Sequence, residues 1–421
     1  MDDYVCGKTG AYERSVKTAN LPLPIGIADY CLVSTQYYYI DKTMMIKDFI
    51  DERPMVSLFT RPRHFGKTLN MDMLRVFFEK ADDDTSIYFK DKNIWACGQH
   101  YRDYQGKYPV ISVTFKDVKC DDWASTYCGI CQALRKEVLR HGELLSSDRI
   151  NSFDKKYLEN ILNGTASEID MAMTFINLSR MLDTHYNQPP IIIIDEYDTP
   201  IQQGYILGFY DKVTGFMRNL FCGGLKDNRH LSFGILSGVR YVAGDKVFCD
   251  LNNISINSIF DRRYSSYFGF TLDEIKKIAG NYGVSEKNGE IHAWYGGYRF
   301  SNTELFNPWS VINYIQAGCK PKVCWHSSEC NDIIKTVATG PDSETYAKLA
   351  SLSEGDTITS YIDTGVIFPH IDQNPAGIFS YLLTEGYLSA VKSELIYGVD
   401  FICELLLPNE EIRQIFNRII P

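Results

Sequence analysis

Apolar residues fall into runs whose spacing reads as strands alternating with helices. Met55 to Phe59 is a short, mostly apolar run, long enough for one buried strand, and Leu69, Met73, Val76 and Phe77 then recur at helical spacing. A strand, a polar turn over residues 61–68 and a helix therefore follow one another. A helical stretch from Met44 to Ile50 precedes them. Tyr108 to Phe115 reads as a second buried strand and Trp123 to Arg140 as a helix. Phe175, Leu178 and Leu182 mark the apolar face of another helix, which Pro189-Pro190 end. Four consecutive isoleucines, Ile191 to Ile194, predict a central strand buried on both faces, as strands of parallel sheets are. Leu231 to Ser237 is a further strand. Beyond Phe268-Gly269-Phe270 the pattern changes: Thr271 is an N-cap followed by Asp273 and Glu274 in a first helical turn, and helical segments separated by aromatic, Gly- and Pro-containing turns run on from there. The expected class is α/β, a parallel sheet flanked by helices over residues 21–268. A mainly helical lid or C-terminal domain follows over 269–421, and a flexible polar segment over 1–20 comes first.

The turn between the first strand and helix carries the first chemistry. It reads Arg61-Pro62-Arg63-His64-Phe65-Gly66-Lys67-Thr68, and Leu69 opens the helix. A strand, a turn with Gly-Lys-Thr and a helix is the context of a phosphate-binding P-loop, in which converging backbone N–H groups and a helix N-terminus hold a triphosphate. Lys67 is expected on the β- and γ-phosphates and the Thr68 hydroxyl on Mg²⁺. Gly66 admits close approach of the phosphates. Arg61 stands where the usual pattern G-x-x-x-x-G-K-[ST] has its first Gly, and Pro62 removes one N–H. Arg61 and Arg63 offset this by offering guanidinium groups to phosphate oxygens.

The second chemistry follows the isoleucines. Asp195 and Glu196 sit at the C-terminal end of the strand, where open α/β sheets bind ligands. Asp195 is placed like a Walker-B aspartate on Mg²⁺, Glu196 is placed to orient and deprotonate water, and Asp198 is a third acid behind them. Phosphate loop and acids together predict a nucleoside-triphosphate site. The strand over Leu231 to Ser237 is followed by Gly238-Val239-Arg240, which makes Ser237 and Arg240 sensor candidates. In many P-loop ATPases the segment ahead of the first strand covers the base, so Tyr39, Asp41 and Lys42 are candidate contacts. Asp261-Arg262-Arg263 reads as a solvated surface pair ahead of an arginine finger.

Composition narrows the classes. The 421 residues leave room for two or three domains, and 45% hydrophobic with 23% charged residues is ordinary for a soluble globular protein. A formal net charge of −10 argues against a general grip on nucleic acid. No apolar run is long enough to span a bilayer. The opening Met1-Asp2-Asp3-Tyr4 lacks the apolar core of a secretory signal. Twelve cysteines without such a signal are expected as reduced thiols in a cytoplasmic protein. Cys128 and Cys131 read as two thiols on a helix, since no second pair lies at zinc spacing.

The chain resembles the bacterial AAA-ATPase-like family, P-loop proteins related to AAA and STAND ATPases, from about Leu21 onward. The likeness rests on Tyr39-Ile40-Asp41-Lys42-Thr43, on Arg61 to Thr68 and on Ile194-Asp195-Glu196-Tyr197-Asp198. It continues in Leu251-Asn252-Asn253, Phe268-Gly269-Phe270-Thr271, Trp294-Tyr295-Gly296-Gly297-Tyr298, Asn307-Pro308-Trp309-Ser310 and Pro408-Asn409-Glu410-Glu411. The family's loop also has Arg for the first Gly. This chain departs from it at His64, where Arg is usual, and at Gly296, where Asp is usual. The resemblance implies a P-loop NTPase of the ASCE type that binds ATP with Mg²⁺. Its site residues are Lys67, Glu196 and Asp195 for catalysis; Arg61, Pro62, Arg63, His64, Phe65, Gly66, Lys67, Thr68, Leu69, Tyr39 and Asp41 for the nucleotide; and Thr68 and Asp195 for the metal. Alternatives are a slowly hydrolysing nucleotide switch or scaffold, and a remnant of a nuclease-associated ATPase that binds nucleic acid. Family members commonly continue past the equivalent of Pro408-Asn409-Glu410 into a PD-(D/E)XK nuclease-like domain, which is not expected in a chain ending at Pro421. Asp117-Val118-Lys119 and Glu274-Ile275-Lys276 read as structural rather than as its substitute. A homo-oligomer or a protein partner fits the resemblance, and no membrane does.

Overall fold

The computed structural model describes residues 21–241, 247–248, 252–325, 343–365, 375–398 and 400–419. The segment 1–20, expected to be flexible, lies outside them, as does Leu251. Helices α1 (Tyr30–Gln36) and α2 (Met44–Glu52) lead into β1 (Val56–Thr60), and α3 (Lys67–Phe78) follows the polar turn. The next strands are β2 (Val110–Thr114), β3 (Ile191–Asp195), β4 (Phe233–Gly238) and β5 (Ile254–Asn257). They form one five-stranded sheet in the order β2-β3-β4-β1-β5, parallel throughout. The helices Trp123–Arg140, Thr174–Tyr186 and Tyr210–Leu225 are among those that connect the strands. Every residue of β1 and β3 is buried, which is why those strands read as apolar runs and not as alternating patterns. Each fully buried isoleucine of β3 contributes roughly 1.5–3 kcal/mol of hydrophobic stabilisation. This is an α/β P-loop NTPase-like fold.

The part beyond Phe268 is helical for most of its ordered elements: Leu272–Asn281, Asn288–Tyr295, Pro308–Gln316, Ser343–Glu354, Pro375–Glu385 and Glu410–Ile419. Thr271 opens the first of these with a capping box to Glu274. Between the helices lie a hairpin of β6 (Tyr298–Phe300) and β7 (Thr303–Leu305), and an antiparallel sheet in the order β8-β10-β9. Its strands are Ile358–Ile362 (β8), Ser389–Ile396 (β9) and Asp400–Leu406 (β10). Ile275, Ile278, Ile291, Tyr295, Phe306 and Val311 form a second apolar cluster that reaches back to Leu23. The main core, in contrast, runs from β1 and β3 through Phe65, Phe268, Tyr298, Trp325 and Tyr387 to Phe416. Among the described residues no helix is long and apolar enough to cross a membrane. Cys128 and Cys131 are free thiols on the Trp123–Arg140 helix.

Two local solutions hold the sheet in place. β2 is an edge strand, and its open backbone is covered by charged groups from the Trp123–Arg140 helix. The buried Glu137 accepts the Ser112 N–H at 2.8 Å. His141 Nε2 lies 3.1 Å from the Val110 carbonyl and 3.2 Å from Glu137. Burial opposes charge on both groups, but the bonds to Glu137 and Glu143 win at His141 and lift it to about 9. At Glu137 the Arg140 guanidinium and His141 likewise outweigh burial and bring it to about 2. The second solution is at the end of β4, where Gly238 faces the Tyr197 ring. A Cβ there would stand 2.6 Å from Tyr197 and 2.8 Å from Asp198 Oδ1.

Two measurements test this packing. His141 binds its proton more tightly folded than unfolded, so its stabilisation is complete below about 6.5 and is lost as pH rises through about 9. Denaturation midpoints should therefore fall across that window, and His141→Gln should flatten the fall. Gly238→Ala should cost about 1–3 kcal/mol in urea denaturation, the usual penalty for an overfilled core site.

Candidate functional site

β1 ends at Thr60, and the turn that follows is built to face an anion. φ is +69° at His64 and +83° at Gly66, with Phe65 between them at negative φ. Such an alternation turns successive N–H groups to one side. The turn runs directly into α3, a helix of 12 residues whose first-turn N–H groups and dipole add to the same effect. Positive φ at a histidine costs on the order of 1–3 kcal/mol and persists only where its surroundings hold it. Here the ring stacks on Trp309 at 5.5 Å and meets Trp325 edge-on at 6.2 Å. Loss of hydrating water between these neighbours, together with the Lys67 and Arg63 charges, pushes the His64 imidazole down to about 4, although part of the residue stays open to solvent. The ring is neutral at neutral pH. Below the turn Phe65 packs against Tyr298 at 5.0 Å and Phe300 at 5.1 Å.

The acids arrive on β3, two strands away from β1. Asp195 Oδ2 accepts the Thr68 hydroxyl at 2.8 Å, and Oδ1 accepts the Ser237 hydroxyl from the end of β4. Burial, then the neighbouring Glu196 charge, raises the Asp195 pKa, and the two hydroxyls oppose the rise. Glu196 leaves the strand at φ +51° and is half-buried, with Thr199 Oγ1 3.2 Å from its carboxylate. Asp198 is buried and accepts the N–H groups of Val239 at 2.8 Å and Arg240 at 3.2 Å, so it fixes the loop after β4. Lys67 points its ammonium into its own loop, 3.0 Å from the Arg61 carbonyl and 2.9 Å from that of Pro62. Burial lowers its pKa, and Glu196, Asp198 and Asp195 counter that.

One cavity of about 560 Å³ is lined by Lys67, Thr68, Glu196 and Asp198 among these groups. Its polar lining is Arg63, His64, Gly66, Lys67, Thr68, Glu196, Asp198 and Gln202, and its apolar lining includes Leu23, Ile27, Tyr39, Ile40, Phe270, Trp309 and Ile312. Phe65 and Leu69 also line it. Among the described residues no three His, Cys, Asp or Glu side chains are grouped to hold a metal. Thr68 and Asp195 instead offer a hydroxyl and a carboxylate side by side. Such hard oxygens suit Mg²⁺, which takes one or two protein ligands and fills its shell with phosphate and water.

Several residues expected on the nucleotide do not reach this cavity. Arg61 is fully buried and turned away: its Nη1 donates to the Thr60 carbonyl at 2.7 Å and the Asn257 carbonyl at 2.6 Å, and its guanidinium lies over Phe268 and Phe300. It therefore ties the end of β1 to β5. Asp41 is likewise engaged elsewhere, accepting from Thr43 and from the Asn93 N–H at 2.7 Å. Pro62 is buried beneath the turn, and Asp195, Ser237 and Arg240 lie behind the cavity wall. Asp261, Arg262 and Arg263 are exposed, with Arg263 paired to Glu52.

Of the other lining residues, Lys42 is one of the candidate contacts, whereas Lys119 and Gln202 were not singled out from the sequence as site residues. Lys119, read as structural, stands at the cavity rim just after β2; a basic residue at the C-terminal end of a parallel strand was the available signal. Lys42 lines the wall while its ammonium is held by Glu274 at 2.6 Å and the Ser266 carbonyl at 2.8 Å. Gln202 has no sequence signal, and Trp309, part of the Asn307-Pro308-Trp309-Ser310 block of the resemblance, has none that places it at the turn; only the fold carries both there.

A family model described as "Predicted AAA-ATPase" matches residues 24–248, just over half of the 421. A protein of Azotobacter chroococcum mcd 1, described as "Uncharacterized protein in vnfD 5'region", is 26% identical over 298 residues, which is 70% of this chain and 52% of that protein. The chain thus spans about half the length of the curated relative it matches. With the family match covering the phosphate turn, the acidic strand and the four strands β1 to β4 that join them, the chain belongs to the predicted AAA-ATPase-like family.

Proposed function

We propose that the cavity binds ATP with Mg²⁺ and hydrolyses it. The observation that carries this reading is the Thr68–Asp195 hydrogen bond, which puts the first turn of α3 and the acidic end of β3 under one cavity lined by Lys67 and Glu196. The triphosphate lies along the N–H groups of residues 64–68. Lys67 exchanges its two loop carbonyls for β- and γ-phosphate oxygens. Thr68 and Asp195 hold Mg²⁺, which neutralises charge on the phosphates when bound. The base takes the apolar lining, between Tyr39, Ile40 and Trp309. Glu196 orients a water in line with the γ-phosphorus; the P–O bond to the β-phosphate breaks as the water oxygen bonds, and the carboxylate takes the proton. Arg63 offsets charge on the terminal phosphate, and Ser237 holds Asp195 in register.

A second reading is a switch that binds ATP and turns it over slowly. It is favoured by the engaged state of the cations: Lys67 is on its own loop, and Arg63 is bonded to Gln202 at 2.9 Å. Turnover per subunit separates the two readings.

Two variants test the roles. Glu196→Gln should keep ATP affinity and lose hydrolysis by roughly 10²–10⁴-fold, the usual contribution of a positioned base; normal turnover would remove Glu196 from that role. In thermal unfolding with Mg²⁺, ATP at a hundred times its dissociation constant should stabilise the natural chain by about 2.7 kcal/mol. Lys67→Ala should lose most of that gain, and an equal gain in both proteins would place the nucleotide elsewhere.

A further inference from the structure

Arg63 in the cavity lining and Arg240 behind the cavity wall share one carboxylate from far along the chain. Glu385, the last residue of the Pro375–Glu385 helix, is 1% exposed, with Oε2 3.4 Å from Arg63 Nε and Oε1 3.1 Å from Arg240 Nη2. Tyr381, one turn earlier on the same helix, lies under the Arg240 guanidinium at 4.4 Å. The next residue presses the backbone onto the phosphate turn. Gly386 has φ +88°, and a Cβ there would stand 2.5 Å from Trp325 and 2.9 Å from Pro62. No side chain fits, so Glu385 is delivered to Arg63 by a contact that glycine alone permits.

A carboxylate at this depth is tolerated because it is paired. The same pairing gives the Arg63 guanidinium an internal anion at its Nε side. Arg63 lines the same cavity as Glu196 and bonds Gln202, so it can meet a third phosphate, whereas Lys67 bridges the β- and γ-phosphates and the turn N–H groups run along the chain of phosphates. A diphosphate leaves the Arg63–Glu385 pair undisturbed. A triphosphate brings a second anion to the same guanidinium and must compete with the first.

We propose that Glu385 determines the specificity of this site for the number of phosphates, as the internal counter-anion of Arg63 that a third phosphate has to displace. The proposal rests on the reading of the cavity as an ATP site. The coupling is reciprocal: whatever Glu385 costs the triphosphate, the triphosphate costs the grip of Glu385 on the turn.

The test compares Mg²⁺-dependent binding of a non-hydrolysable ATP analogue and of ADP to the natural chain and to Glu385→Gln, which keeps shape and removes charge. The analogue should bind the variant at least about fivefold more tightly, with ADP changed less than about twofold, the range of a modest coupling between sites. A purely structural carboxylate would weaken both ligands together, and that result, or an unchanged ratio, overturns the proposal while leaving the ATP site standing. Failure of the natural chain to bind either nucleotide removes the ATP site and the proposal with it. Should Glu385→Gln not fold, hydrogen exchange of the natural chain decides: the analogue, but not ADP, should speed exchange of the amides at residues 385–388, and equal exchange overturns the proposal.

Discussion

The hydrogen bond from Thr68 to Asp195 joins residues 127 apart in the chain, and the rest of the candidate site depends on it. It requires α3 to start where β1 ends, and β3 to end level with that start. The sheet meets this requirement by placing β4 between β1 and β3, which leaves room for the turn and brings Ser237 to the other oxygen of Asp195. A carboxylate buried among a threonine, a serine and a second acid has few ways to offset its charge. The raised pKa of Asp195 follows from that burial, and a divalent cation shared with phosphate is the partner its chemistry suits.

The phosphate turn is also held from behind. Its four aromatic contacts, His64 with Trp309 and Trp325 and Phe65 with Tyr298 and Phe300, come from residues beyond Phe268. Gly386 touches Pro62, and Glu385 reaches Arg63. The strained φ at His64 is therefore stabilised by the C-terminal part and not by the α/β sheet alone. Arg61 adds a structural role to a position that a glycine would leave open: by bonding the Asn257 carbonyl it fixes the edge strand β5 to the strand that carries the turn.

The resemblance to AAA-ATPase-like proteins and the strand–turn–helix order were legible because each rests on local chemistry. Ile191 to Ile194 are apolar without alternation, which only a strand covered on both faces demands, and Gly66-Lys67-Thr68 has a spacing set by phosphate. The strands β5 to β10 were not legible. Ile358 to Ile362 alternates buried and exposed over only five residues, too short a pattern to stand out among aromatic turns. Glu385 carried no signal either: in sequence it is one acid at the end of a helix, and its meaning comes from two arginines located 322 and 145 positions earlier (385 − 63 and 385 − 240).

By itself the sequence determined four of the five strands of the parallel sheet, where the phosphate turn lies and which acids follow the central strand, because backbone propensity, burial on two faces and turn chemistry act between near neighbours; the edge strand β5 was not among them. Only the tertiary structure decided which polar groups face the cavity. Arg61 and Asp41 have the right chemistry for a nucleotide, but the backbone carbonyl of Asn257 and the N–H of Asn93 lie closer and hold them. Lys119 and Gln202 lack a motif yet are brought to the cavity by the packing of elements distant in the chain, as is Trp309. A charged side chain in a folded core bonds whichever partner the fold brings within about 3 Å, and that distance is set by the whole structure.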